Sequence, residues 1–219
     1  MVNKELISAS LPLLSLQDPV YRALQMMDDY NVVHLPIVAE DKYVGLVSED
    51  ELLNADDAAL LEGLVPNLSR VKVLPSGHFT TAVQVANEYG LTVVPVAEKD
   101  DAWVGSISSM DLLKYAGHFF GADEPGGIIV LEMEKRNFSF SEISKLVETN
   151  DAQITQLNTY FDNSQGLLFV SVKINKFELS DILATFQRYE YHIRYYFGEE
   201  QYENELKSNY DHLMNYLNL

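Results

Sequence analysis

The sequence contains no cysteine. Disulfides, thiolate nucleophiles and Cys-ligated zinc or iron–sulfur centres are therefore excluded. Positive charge is scarce: 15 Lys and Arg stand against 33 Asp and Glu, a net charge of −18. Such a chain lacks the clustered cations that a nucleic-acid backbone or an anionic membrane surface requires. No apolar run approaches the ~20 residues of a bilayer crossing. The opening stretch MVNKELISASLPLL, broken by Glu5, Ser8, Ser10 and Pro12, makes a poor signal peptide. These absences lead to the expectation of a cytoplasmic protein with no nucleic-acid and no membrane partner. The remaining composition is that of a globular chain: 219 residues, 47% hydrophobic and 22% charged, enough to bury a core in one or two domains.

Catalytic patterns are missing as well. The five histidines (34, 78, 118, 192 and 212) fall in five separate segments, with no H-x-x-x-H or H-E-x-x-H spacing. There is no G-x-S-x-G elbow, no P-loop and no G-x-G-x-x-G. Acidic pairs such as Asp28-Asp29, Asp56-Asp57 and Asp100-Asp101 read as solvated turns and helix ends. The expectation is a protein that is not an enzyme and holds no resident metal.

What the sequence does contain is a repeat. YNVVHLPIV at 30–38 returns as YGLTVVPV at 89–96, and YVGLVSEDEL at 43–52 as WVGSISSMDL at 103–112. Pro36 thus aligns with Pro95, Gly45 with Gly105, Ser48 with Ser108 and Glu51 with Asp111. In the first copy, Asp18-Pro19 reads as an N-cap and a first-turn proline, ahead of Val20, Ala23, Leu24 and Met27 at helical spacing. Two short apolar runs, 32–38 and 43–47, flank a polar turn, and Ser48 opens a short helix. The second copy places its helix at 79–89 and its strands at 91–97 and 102–107. Each copy reads as strand–helix–strand–strand–helix, and residues 54–70 form a connector expected to be partly helical.

This order, present twice, resembles the CBS domain, and the tandem resembles a Bateman module. The resemblance rests on the helix after Asp18-Pro19, the HLPIV and TVVPV strands, and the two G-x-x-S-x-x-[ED]-L segments. It implies unit boundaries of 8–60 and 61–120. It also implies that an adenosine-containing nucleotide binds in the pair. Ser108 and Asp111 would hold the ribose, because a carboxylate on the first turn of a helix accepts from two vicinal hydroxyls. Val73 and Leu74 on the first strand, with Thr92, Val93 and Val94 before Pro95, would flank the base. In the first copy His34, Ser48 and Glu51 occupy the matching places. Ser48-x-x-Glu51 also reads as a capping box, and fits that pattern better than a ribose site. Residues 1–121 carry 7 basic and 17 acidic side chains. AMP or adenosine therefore meets less repulsion there than ATP, and bound Mg²⁺ would offset part of it.

The second half begins after GADEPGG (121–127), a linker by composition. A strand at 128–134, a helix at 140–148 behind Ser139-x-x-Glu142, a hairpin at 154–161 and 167–174, a helix at 179–189 and a strand at 192–197 follow. That β-α-β-β-α-β order is the split-βαβ, ferredoxin-like arrangement. After a CBS pair it resembles an ACT domain, here 128–198, in the layout of the acetoin-utilisation B-type proteins. The resemblance implies amino-acid binding at the loop after the first strand, with Arg136 and Asn137 as candidates. Residues 199–219 read as a helix with Tyr202, Leu206, Tyr210, Leu213, Met214 and Leu217 in one stripe.

The fold class expected is thus α/β (α+β): two CBS β-α-β-β-α units, a ferredoxin-like ACT-type domain and a C-terminal helix. The function expected is regulatory. An AMP-like ligand would bind in the CBS pair of a homodimer, and a separate protein partner would read the allosteric change. The alternative is a ligand-free dimerisation and interaction scaffold.

Overall fold

The structure, a computed structural model, describes residues 1–198. The expected helix at 199–219 lies outside the described residues. The chain divides into two compact units, Met1–Gly117 and His118–Leu219.

The first unit holds both copies. Copy one comprises α1 (Val20–Asp29), β1 (His34–Ala39), β2 (Lys42–Ser48) and α2 (Glu49–Leu53). Copy two comprises α3 (Phe79–Tyr89), β3 (Val93–Ala97), β4 (Trp103–Ser108) and α4 (Ser109–Phe119). Each helix leaves through one residue in the left-handed region, Asn31 after α1 and Gly90 after α3, the two residue types that tolerate it best. Both hairpins are antiparallel, and each shifts register beside its glycine, at Ile37/Val38 and at Val96/Ala97. The expected first strand of each copy is only a single parallel bridge, Leu14 to Ile37 and Val73 to Val96. The Asp18 N-cap is corrected too. Pro19 itself is the extended N-cap of α1, and Asp18 instead accepts from the Ser15 N–H at 2.8 Å and pairs with Arg22 at 2.9 Å.

A two-stranded hairpin is marginal alone, and here each is closed by a segment that lies next to the other copy in sequence. Leu6 to Ser8 pack on copy two. Asn3 N–H donates to the Gly77 carbonyl, Ser8 N–H to the Ser106 carbonyl (both 2.8 Å), and Leu6 enters the copy-two core. Residues 61–69, which include a 3-10 turn at Leu61–Asn67, close copy one. Leu61 is fully buried there, and Leu46 N–H donates to the Ser69 carbonyl at 2.7 Å. The two repeat glycines mark these crossings. A Cβ on Gly45 would lie 2.6 Å from Leu68 Cβ, and one on Gly105 2.6 Å from Ile7 Cγ2. Ile7-Ser8 and Leu68-Ser69 are therefore equivalent, each supplied to the hairpin of the other repeat.

The two hairpins also join directly. At the turns, Tyr43 N–H donates to the Asp101 carbonyl (2.8 Å) and Trp103 N–H to the Asp41 carbonyl (2.9 Å), and the rings of Tyr43 and Trp103 stack at 6.0 Å. At the opposite ends, His34 meets Thr92.

The second unit is one antiparallel sheet with two helices. Its elements are β5 (Gly127–Met133), α5 (Phe140–Glu148), β6 (Ile154–Asp162), β7 (Leu167–Ile174), α6 (Ser180–Arg188) and β8 (His192–Phe197), in sheet order β6-β7-β5-β8. That order is the ferredoxin-like one. Ile129, Leu131, Val170 and Val172 line the sheet face that meets Ile143, Val147, Ile182 and Phe186 from the helices. The GADEPGG stretch is tied to this unit: buried Lys173 donates to the Gly121 carbonyl, and Gly127 already pairs with Ile174. The Ser139 capping box closes on one side only. Glu142 N–H donates to Ser139 Oγ, while the Glu142 carboxylate is bonded to the Tyr191 hydroxyl.

The exchange of closing segments has a measurable cost if broken. Leu6→Ala is expected to destabilise the protein by about 2–5 kcal/mol, although the residue stands at the sixth position of the chain. Urea unfolding reads this, and a loss below about 1 kcal/mol would mean that the N-terminal segment is not docked.

Candidate functional site

The repeat places Ser48–Glu51 and Ser108–Asp111 at equivalent helix starts, and the two carboxylates behave differently. Glu51 is long enough to fold back. Its Oε2 accepts from the Ser48 N–H at 2.8 Å and the Ser48 hydroxyl at 2.9 Å, and Ser48 Oγ accepts from the Glu51 N–H. The capping box is complete. Asp111 is one methylene shorter and does not bond the Ser108 N–H. That N–H donates instead to Ser8 Oγ at 3.0 Å, and the Ser8 hydroxyl donates to Asp111 Oδ2. The Ser108 hydroxyl also donates to Oδ2, at 2.7 Å, and accepts from the Asp111 N–H at 2.9 Å. Ser8 thus bridges a gap that Glu51 spans by itself.

The two hydroxyls, Ser8 first, hold the Asp111 carboxyl below its ordinary value, and Lys114 adds to the effect. Asp111 is half-exposed and ionised near neutrality, and its Oδ1 has no hydrogen-bond partner among the described residues. Sequence reasoning missed Ser8. Its one signal was the hydrophobic–Ser pair, Ile7-Ser8 and Leu68-Ser69, at nearly the same offset before each repeat.

The other expected base-flanking residues are placed differently. Val93 and Val94 are fully buried, each in a different one of the two cores, because β3 runs through the middle of the unit. Val73 is 5% exposed, and its N–H and carbonyl are both taken by β3. The Leu74 carbonyl already accepts from Asn3 Nδ2 and from the Gly77 N–H. Val73, Val93 and Val94 thus offer no free surface for an adenine ring, whereas the Leu74 side chain is only half-buried.

His34 and Thr92 bind each other. The Thr92 N–H donates to His34 Nδ1 at 3.3 Å, so this nitrogen carries no proton and the neutral ring bears its hydrogen on Nε2. Thr92 Oγ1 lies 3.2 Å from Nδ1 and accepts from the Val33 N–H at 3.0 Å. Burial pushes the His34 pKa below 6.5, against the opposite pull of Glu51 and Asp50. His34 is therefore a joint between the copies rather than a cation for phosphate.

A cavity of about 380 Å³ lies beside Glu51, among Asn54, Ala55, Leu64, Asn67 and Leu68. In the second unit a cavity of about 470 Å³ is lined by Glu132, Asn137, Glu142, Glu190, Tyr191 and His192, with no Lys or Arg among its walls. Arg136 is not part of it. It is exposed and pairs with Glu134 at 2.7 Å, so the structure does not bring Arg136 and Asn137 to one site. Burial, then the Glu142 carboxylate, raises Tyr191 to about 12. Among the described residues no group of three or more His, Cys, Asp or Glu is arranged to hold a metal, and no helix is long and apolar enough to cross a membrane.

The family model of the CBS domain matches residues 4–58. Residues 4–58 are thus matched as a CBS domain, a family of regulatory ligand-binding modules, and copy two repeats the element order of copy one. Similar solved structures include a CBS domain pair/ACT domain protein from Thermotoga maritima, 19% identical over 54% of this chain and 98% of that one, with a TM-score of 0.49. A protein assigned to acetoin utilization from Vibrio cholerae is 21% identical, over 57% and 98%, at 0.48. A CBS domain pair in complex with 5′-methylthioadenosine and S-adenosyl-L-methionine is 21% identical, over 54% and 98%, at 0.43.

The His34 joint gives a pH dependence of definite sign. The folded-state pKa lies below the unfolded value of 6.5, so this contribution to stability is present above pH 6.5 and is lost as pH falls through the folded value. Urea midpoints of the wild type are expected to fall between pH 7 and pH 5 by more than those of His34→Gln. Equal slopes would remove His34 from the joint.

Proposed function

We propose that the protein is a ligand sensor whose CBS pair binds an adenosine-containing, AMP-like nucleotide and passes the change of conformation to a separate protein. The observation that carries this reading is the Asp111 junction: an ionised, half-exposed carboxylate with one free oxygen, set by Ser8 and Ser108 on the first turn of α4. Such a group accepts from vicinal ribose hydroxyls with the strength of a charged hydrogen bond. The acidic balance of the unit favours AMP or adenosine over ATP, and Mg²⁺ arriving with a nucleotide would offset part of the repulsion. CBS-domain proteins are generally regulatory rather than catalytic, and the role proposed is binding without turnover. Tyr21 on α1, Val83 and Tyr89 on α3 and Met110 and Leu113 on α4 are exposed, and we assign these helix faces to a homodimer contact.

Thermal denaturation tests the ligand. AMP at ~100 times its Kd adds about 2.7 kcal/mol, several degrees of midpoint, and Asp111→Ala abolishes the shift. A second reading, a ligand-free dimerisation and interaction scaffold, is favoured by the closed capping box at Glu51, the neutral His34 and the burial of Val93 and Val94. If AMP, ADP, ATP with or without Mg²⁺, NAD and S-adenosylmethionine all leave the midpoint unmoved, the scaffold reading stands.

A further inference from the structure

An antiparallel sheet with helices on one side ordinarily alternates apolar residues toward the helices with polar residues toward water. The sheet of the second unit does not. β5 opens Gly127-Ile128-Ile129-Val130-Leu131, the continuous apolar run of a strand covered on both faces. Ile129 and Leu131 belong to the core under α5 and α6, while Ile128 and Val130 point the other way and are only partly buried.

The strand registers arrange that second face. Phe197 lies opposite Ile128, Tyr195 opposite Val130, and Phe169 opposite Tyr160. These side chains form a diagonal apolar band from the exit of β8 to the far edge of the sheet at β6. Tyr160, Tyr195 and Phe197 are each more than half exposed, and the rings of Tyr160 and Phe169 sit 6.2 Å apart. Polar groups hold the two corners beside the band, Glu132 with Arg194 at one and Lys173 with the Gly121 carbonyl at the other. A contiguous apolar surface of this kind is costly to leave in water and marks a contact.

The chain continues directly from the band. Gly198, after Phe197, is pinned to the unit, since a Cβ there would lie 2.6 Å from the Phe177 carbonyl oxygen. Beyond it, Tyr202, Leu206, Tyr210, Leu213, Met214 and Leu217 recur at helical spacing, with charged and amide residues between them. From Tyr202 to Leu217 such a stripe is about 22 Å long at a helical rise. The band crosses four strands and about four residues of strand length, a diagonal of about 20 Å. A helix about 10 Å wide covers it and leaves the polar corners in water.

We propose that residues 199–219 cover the open face of the sheet in their own chain, with the apolar stripe laid along the diagonal from Phe197 to Tyr160. Tethered at Gly198, the segment competes for the face at an effective concentration in the mM range, above that of a second copy or a separate protein. The second unit then has three layers, and β5 is buried on both faces as its apolar run requires.

The chain has no cysteine, so an introduced pair supplies its only thiols. In the full chain, Tyr160→Cys with Leu217→Cys is expected to be closed by a short bis-maleimide into a cross-linked monomer. Tyr160→Cys with Ser208→Cys, whose second thiol lies on the opposite side of the predicted helix, should stay open. Trypsin cutting after Lys207 gives an independent readout, the segment having no other Lys or Arg. Tyr160→Asp, at an exposed position, should speed that cut by about tenfold, because cleavage follows the population of the undocked form. A cross-link formed only between two chains would assign the face to a second copy and overturn the proposal. Equal yields from the two cysteine pairs, closure in neither, or a Lys207 cut equally fast in the wild type and Tyr160→Asp would overturn it as well.

Discussion

Each hairpin of the first unit is closed by a strip of chain that belongs, in sequence, beside the other hairpin. Leu6 to Ser8 lie against β4, and Leu68 and Ser69 against β2. Almost everything else in the unit depends on this exchange. It puts Leu6 and Leu61 into opposite cores. It explains why both repeats need glycine at 45 and 105, where any side chain would strike the crossing strip. It also makes the second carboxylate what it is, since the Ser8 hydroxyl arrives at Asp111 only because residues 1–8 cross over.

The chemistry follows from one methylene group. A glutamate at the third helical position reaches its own N-cap, satisfies an orphan N–H and is used up in doing so. An aspartate falls short, and the vacant N–H is taken by a hydroxyl from elsewhere in the chain. The same local problem is solved twice, once by length and once by a visitor. The second solution leaves one carboxylate oxygen without a partner among the described residues, while the first leaves a well-capped short helix. A repeat can therefore preserve its fold in both copies and its polar chemistry in one.

The architecture was largely legible. The repeat, the hairpins and the β-α-β-β-α-β order follow from apolar spacing and turn residues, and α5 and β7 have the expected bounds. Local signals also located the pair of helix-start carboxylates. What sequence did not reveal was long-range. The flanking residues Val93 and Val94 lie in the cores because β3 is covered on both faces, and apolar strand residues look the same whether they face a ligand or a core. Ser8 stands 103 residues from the carboxylate that it serves, and no spacing rule links such positions. Asp18 reads as a cap by type, yet Pro19 takes the place and Asp18 turns to Ser15 and Arg22.

The crossing of residues 1–8 onto β4 also sets the order of events during synthesis. The Ser8–Ser106 backbone bond closes a loop of nearly the whole unit, and contacts so distant in sequence slow folding. At about 5–20 residues per second, the opening segment must wait roughly 5–20 s for its partner strand to emerge from the ribosome. During that interval Leu6 and Ile7 stand uncovered beside a half-built hairpin.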